Sequence, residues 1–370
     1  MRIVIVGAGI VGLSAAWALK KAGHDPVVLD YGPIPNPIAS SNDRHRLIRL
    51  AHSEGDGRNV IIHEAYAAWD ELWRDLGRSH YVETGMLLTA RDPIDWAVSC
   101  RAGFDRQGTP YDIWDNATLA ARLPFLALTE ADWGLYMAKG GALLADRILH
   151  GLADWLRAAG VELRQHAKAV AVDGRSVALE GGERLAADAV VSAVGAWSGK
   201  LMAELAPSLT PRRAVVLYLR PPAEMAEAWA RSPCFLDFGG KADLYLVRPM
   251  EGLGLKFGAG AHSGPADPDL PRTLRPDEPG SLLRFLRPFI RDLDRYEVVD
   301  SRVCWTCNSP DERFMCGMRA DGTVYAAGCS GQMFKFGAVI GQRLAETATG
   351  RMDGPALSAW ALGEIPGTRT

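Results

Sequence analysis

The chain has 370 residues, 48% of them hydrophobic and 23% charged, with a formal net charge of -3 at pH 7. That is ordinary soluble globular usage with material for about two buried cores, and it sets aside disorder and repeat architectures. Lys and Arg are scattered rather than massed, which argues against a nucleic-acid groove; no window supplies the roughly 20 apolar residues of a membrane span, and six cysteines are too few for a disulfide scaffold, so free thiols in a reducing, cytoplasmic setting are expected.

In chain order, residues 3–6 form a short β-branched run, GAGIVG follows at 7–12, residues 13–21 read as a helix, and 27–30 read as a second strand ending in a carboxylate 18 residues after the last glycine. A glycine pattern alone is weak, but strand before and helix after make it a dinucleotide-binding start. Gly7 permits the tight turn, Gly9 lets a pyrophosphate approach the backbone, and Gly12 lets the helix pack on the strand. The helix N-terminus faces the phosphates, and Asp30 accepts ribose hydroxyls. Three glycines interrupt the apolar start, so it does not read as a secretory signal. Arg46 and Arg49 come next. On a helical turn both guanidiniums would point the same way and call for an anion, and the planar fork of Arg suits a carboxylate; a solvated basic face paired with Asp43 or Glu54 is the alternative.

A helix is expected over 146–159, with strands at 161–164, 169–172 and 176–179, then a buried strand over 189–194 running into Gly195-Ala-Trp197. These resume the nucleotide unit after an interruption, and a third portion returns at 323–328. A discontinuous dinucleotide domain points to FAD rather than NAD. The fold class expected is α/β: a doubly wound, Rossmann-like FAD-binding domain of the glutathione-reductase type, from residues 1–79, 143–213 and 300–370. It is interleaved with a mixed-sheet α+β substrate-binding domain from 80–142 and 214–299.

In LGLKFG, residues 253–258, a period of two puts Leu255 and Phe257 on one face and Gly254, Lys256 and Gly258 on the other, so the Lys256 ammonium emerges among small neighbours. The alternative is an edge-strand lysine snorkelling to solvent. VCWTCNSPDERF, residues 303–314, sets Cys304 and Cys307 three apart, which fits half a zinc site, a dithiol pair, a covalent cofactor anchor or two core residues. No second pair at a usual spacing completes a zinc site, and the setting is not a thioredoxin-like turn. GCSG at 328–331 should open a helix whose amides can stabilise an anionic edge of reduced flavin, with Lys335 held between Phe334 and Phe336.

The GAGIVG start, Arg46-Leu-Ile-Arg49 with Glu54-Gly55, Gly195-Ala-Trp197, Gly254-Leu-Lys256-Phe-Gly258, Val303-Cys304, Asp311-Glu312 and Gly328-Cys-Ser-Gly331-Gln-Met-Phe-Lys335-Phe occur in order over most of the chain. Together they resemble the amine-oxidising flavoproteins typified by monomeric sarcosine oxidase, N-methyltryptophan oxidase and pipecolate oxidase, in the D-amino-acid oxidase-like superfamily. The resemblance implies FAD held by Gly7, Gly9, Ile10, Val11, Gly12, Asp30, Arg46, Val170, Gly195 and Trp197, and by Gly328, Gly331, Gln332, Met333, Phe334 and Lys335. It implies that Cys304 carries the flavin as a thioether, with no role for Cys307. Arg49 and Lys335 would hold a substrate carboxylate, Arg46 would lie nearer the flavin as a catalytic group, Lys256 would stabilise superoxide, and Tyr245 would line the pocket in a catalytic and substrate-binding role. Arg248, where the family has apolar or small residues, would recognise a second polar group of the substrate. Ser41-Asn42 departs from the family's paired histidines, and Gly260 stands where the family often has a histidine, with His262 two positions further on.

The implied activity is FAD-dependent oxidation of a secondary amino acid, N-methyl or otherwise N-substituted, to an imine that hydrolyses, with O2 reduced to hydrogen peroxide. The expected form is a monomer with a small amino-acid substrate and O2 as its partners, without nucleic acid or membrane. A primary amino-acid oxidase of the glycine or D-amino-acid type is the alternative in the same fold; a tRNA-modifying domain that removes a carboxymethyl group is more remote. A non-catalytic flavin-binding protein would not need Lys256, Arg49 and Lys335 together.

Overall fold

The computed structural model describes residues 1–91, 95–236 and 243–364. Arg2–Val6 lies parallel between Asp25–Leu29 and Ala189–Ser192. It is buried from Ile3 onward, because a parallel strand is covered on both faces and reads as an unbroken apolar run. The sheet continues to six strands, in the order Met315–Met318, Val324–Ala327, Ala189–Ser192, Arg2–Val6, Asp25–Leu29, Glu162–Arg164. Only Met315–Met318, at one edge, is antiparallel.

Alternation along these strands feeds two cores. Ile3, Ile5, Val28 and Val191 pack toward the helices Ile10–Lys21, Ala145–Ala158 and Gly337–Ala348. Val4, Val6, Val27 and Val190 pack toward Val177, Leu179 and Leu185. The last three belong to an antiparallel sheet of Ala169–Asp173, Ser176–Leu179 and Arg184–Ala186, so the strands expected at 169–172 and 176–179 form a separate layer over the nucleotide sheet.

The second large sheet is mixed. Gly264–Pro265, Thr210–Arg220, Leu255–Ala259, Leu244–Val247, Cys234–Leu236, Met86–Ala90, Trp133–Met137 and Asp112–Trp114 follow one another across it, and Cys234–Leu236 runs parallel to Met86–Ala90 among otherwise antiparallel pairs. Leu217, Leu219, Leu246, Leu255 and Phe257 bury one face against Leu282 and Leu286 of the helix Glu278–Leu286.

Glu297–Asn308 pairs with Thr210–Arg220 along nearly its whole length. Residues 210–213 and 300–308, expected with the nucleotide segments, therefore sit in the second sheet. The reason is length: these strands have 11 and 12 residues, and no other described strand is long enough to satisfy the backbone of either. No helix among the described residues is long and apolar enough to cross a membrane.

Candidate active site

A cavity of about 480 Å³ lies where the two large sheets meet, and it shares walls at Gly9, Ser40, Ser41 and Gly195 with a second of about 470 Å³. The second is walled by Gly7, Asp30, Val170 and Trp197. Gly7 has φ +101°, and a Cβ there would stand 2.5 Å from the Ala193 carbonyl oxygen, so the turn admits only glycine. Gly12 lines neither cavity; a Cβ on it would overlap the Gly7 carbonyl, so it serves to start the helix hard against the strand, with Gly9, Ile10 and Val11 in the cavity wall. Gly328 likewise stays out of the wall that Gly331, Gln332, Met333 and Phe334 help to form.

Asp30 accepts from the amides of Ala8 at 2.9 Å and Gly32 at 3.0 Å and from Asn36 Nδ2 at 2.7 Å. A carboxylate has about four acceptor positions, so roughly one is left for a ribose hydroxyl. Adjoining cavities, a glycine cradle and a helix N-terminus opening between them fit a dinucleotide of the size of FAD.

Lys256 projects from Leu255–Ala259 on the face opposite Leu255 and Phe257, as the period of two requires. It does not snorkel: it is 1% exposed, its Nζ is 2.6 Å from Asp43 Oδ2 and 2.9 Å from the His45 carbonyl oxygen, and it lies 5.8 Å from the Tyr245 ring centroid. Asp43 also accepts from the Arg46 guanidinium, the Tyr218 hydroxyl and, at 2.8 Å, the Arg44 amide. Burial alone would raise the Asp43 carboxyl; Arg46 and Lys256 overcome it and hold the group well below the usual carboxylate range. Burial, then the neighbouring Arg46, bring the Lys256 ammonium down to about 8 against the pull of Asp43. Arg46 is thus paired with Asp43 inside the molecule, not on a solvated face, while Glu54 pairs with Arg106.

Arg46 and Arg49 do not share a helical turn. They end the strand Arg46–Arg49, held antiparallel to Gly140–Leu143, and positions three apart in a strand face opposite ways. Arg46 therefore turns to Asp43. Arg49 turns to the other end of the cavity, with its guanidinium 3.2 Å from His52 Nδ1, 3.3 Å from Gln332 Oε1 and 4.9 Å from the Trp96 ring. Lys335 lies in the 3-10 turn Met333–Phe336 that leads into the helix Gly337–Ala348, and its Nζ donates to the carbonyl oxygen and Oε1 of the same Gln332 at 3.2 and 3.4 Å.

Arg49 is 8% and Lys335 5% exposed, and among the described residues neither has a carboxylate within 4.0 Å. Burial brings Arg49 down to about 10; burial, then Arg49, push Lys335 well below its usual range. Among the described residues, these two buried cations over one amide lack an anion.

Cys304 lines the cavity, whereas Cys307 is outside its wall, buried in an apolar cluster with Trp305, Ala327 and Leu209. Burial raises the Cys304 thiol, and the cations opposing it are Arg46, Lys256 and Arg272. Arg302, two residues before Cys304, donates to the Asn42 carbonyl oxygen at 3.1 Å. Arg248 is not brought to the cavity: its guanidinium caps the carbonyls of Ala230 and Ser232 at the end of the helix Ala226–Arg231, as basic side chains do at helix C-termini. His262 is 3.0 Å from Ser281 Oγ and edge-on to Phe285, outside the cavity wall.

The pattern of the FAD dependent oxidoreductases, DAO, matches residues 2–347. The chain belongs to this family. Human peroxisomal sarcosine oxidase is 29% identical over 356 residues, 93% of this chain and 90% of that protein. The N-methyl-L-tryptophan oxidase of Escherichia coli O139:H28 is 26% identical over 360 residues, 94% of each. NikD, an amino acid oxidase of nikkomycin biosynthesis solved in an open form, shares the fold at a TM-score of 0.81 and 20% identity, over 97% of this chain and 96% of that one.

Four residues that the sequence pattern did not single out brace the charged groups of the cavity from outside its wall: Asp43, His45 and Tyr218 around Lys256, and His52 beside Arg49. His45 and His52 are fully enclosed. Burial, with Lys256 next, pushes the His45 imidazole to about 3, and burial, with Arg49 next, pushes His52 well below its usual range. Both are neutral when folded and take up protons on unfolding once the pH drops below about 6.5. Their contribution to stability is full above that value and is lost as the pH falls, by about 1.4 kcal/mol per pH unit for each imidazole. Urea midpoints of the FAD-loaded protein should drop steeply between pH 7.5 and 5.5, and less so in His45→Gln. A flat profile would contradict the burial of both rings.

Proposed function

We propose that this FAD oxidoreductase oxidises secondary amino acids, N-methyl or otherwise N-substituted, as a cytoplasmic monomer. The observation that carries the reading is the pair Arg49 and Lys335, buried, bridged by Gln332 and lacking a carboxylate partner among the described residues, at one end of a cavity whose wall holds Lys256 and Cys304. The relatives add support, since sarcosine oxidase and N-methyl-L-tryptophan oxidase are both named for N-methyl amino acids.

Bound FAD supplies a two-electron acceptor that O2 returns to its starting state, with hydrogen peroxide as product. Arg49 and Lys335 fix the substrate carboxylate, which orients the C–H bond beside the nitrogen. Tyr245 walls the space between that carboxylate and Lys256, and the positive charge of Lys256 and Arg46 faces the oxygen chemistry. Cys304 lines the cavity and would hold the cofactor through a thioether. The imine leaves and is hydrolysed in water.

An oxygen electrode charged with N-methyl, N-carboxymethyl and cyclic amino acids tests this directly. Consumption and peroxide are expected with the acids and not with their methyl esters. Equal rates with acid and ester would remove the assignment of Arg49 and Lys335, and a preference for glycine or D-amino acids would move the enzyme to the primary-amine class. Arg49→Lys keeps the charge but loses the planar fork. It should weaken binding of the carboxylate by about 1.5–3 kcal/mol, the worth of a charge-assisted hydrogen bond, with FAD content unchanged. An unaltered half-saturation concentration would rule the contact out.

A further inference from the structure

Asp43 has no place in the sequence motifs, yet it is the most heavily bonded side chain beside the cavity. It is 2% exposed and reaches Lys256, Arg46, Tyr218 and the Arg44 amide, with Arg302 Nε at 3.9 Å. Three elements aim at it. Lys256 comes from Leu255–Ala259, and Tyr218 stands directly opposite it in register on Thr210–Arg220. Arg46 comes from Arg46–Arg49. On the remaining sides the charged and titratable groups are Tyr245 on Leu244–Val247, Cys304 and Arg302 on Glu297–Asn308, and the neutral His45, whose carbonyl takes a second proton of the ammonium.

We propose that Asp43 is the positioning residue of Lys256: its carboxylate fixes where the ammonium sits and cancels one of the two positive charges that Lys256 and Arg46 place on that wall. Without it two cations would face each other in a dry site, and the one able to lose a proton, Lys256, would lose it. Asp43 therefore keeps a charged lysine beside the cavity at neutral pH while leaving the wall with a net charge of one positive unit. This rests on the reading of Lys256 as the oxygen-facing residue, and the test separates the two ideas.

Lysine-selective 15N NMR of the FAD-loaded protein reads the protonation of Lys256, whose resonance is identified by its loss in Lys256→Met. The titration midpoint, at about 8 with Asp43 present, should fall by more than one pH unit in Asp43→Asn. Above both midpoints that is at least about a tenfold loss of ammonium. The high-pH decline of the oxygen half-reaction, followed by stopped flow, should move by the same amount, while anaerobic reduction by substrate stays as it was.

Tyr218→Phe gives the opposite sign and remains available should Asp43→Asn fail to fold. It removes a donor from Asp43, leaves the carboxylate more basic, and should move the Lys256 midpoint upward. A midpoint unmoved in either variant overturns the proposal. A midpoint that moves while the oxygen half-reaction does not follow upholds Asp43 as the positioning residue and removes Lys256 from the oxygen step.

Discussion

With Lys256 replaced by Met, substrate still bleaches the bound FAD under anaerobic conditions at close to the wild-type rate, but the return of colour on mixing with oxygen slows by roughly 10²–10³-fold, the usual loss when one preorganised charge-stabilising group is removed. Methionine keeps the length and apolar stem of lysine and removes only its charge. The strand does not depend on that charge, since Leu255 and Phe257 anchor it in the core. Asp43 keeps Arg46 as a partner, so no carboxylate is stranded. Stopped-flow spectroscopy separates the two half-reactions. Equal slowing of both would mean that Lys256 only shapes the pocket.

Cys304→Ser should release all flavin from acid-denatured protein, whereas the wild-type chain and Cys307→Ser keep it and stay yellow. Serine cannot form the thioether. Position alone distinguishes the two cysteines: both lie on Glu297–Asn308, three apart and so on opposite faces, with Cys304 in the cavity wall and Cys307 in the apolar cluster behind it. The Cys307 amide donates to Cys329 Sγ at 3.3 Å, which ties that side of the strand to the turn after Val324–Ala327. Burial raises the Cys304 thiol, and Arg46 and Lys256 are the nearby cations that would favour the thiolate needed for a thioether. Intact-mass spectrometry reads the outcome. A native chain without the added mass of FAD, or a Cys304→Ser chain that carries it, would remove Cys304 as the anchor.

What the sequence showed in advance follows from the range over which each pattern acts. The GAGIVG turn is largely local, because Gly7 has a positive φ and Gly12 is demanded by the Gly7 carbonyl and Ile5, though the Ala193 carbonyl that also demands Gly7 lies far along the chain. The outward direction of Lys256 is local too, since a period of two needs only its neighbours. The strand Arg46–Arg49 was hidden because a four-residue run with a cation at each end carries no period of its own, and its partner Gly140–Leu143 lies far along the chain. Asp43 was visible only as a possible surface partner of Arg46, while its bond to Lys256 spans 213 residues and that from Tyr218 spans 175. No spacing rule reaches that far. Arg248 misled for the opposite reason, since it directly follows the strand Leu244–Val247 that carries Tyr245, but a helix end nearby had carbonyls to satisfy.

The strand order also sets a timetable for synthesis. Arg2–Val6 is translated before its neighbour Ala189–Ser192, which meets Val324–Ala327 only after the whole second sheet, including Glu297–Asn308, has been made. The nucleotide sheet cannot close until Val324–Ala327 has left the ribosome, and the contacts that close it have the long sequence separation that makes folding slow. The cavity between the sheets, and with it any bond from Cys304 to a cofactor, is therefore completed at the end of folding, so truncation before Val324–Ala327 should abolish cofactor retention along with the fold.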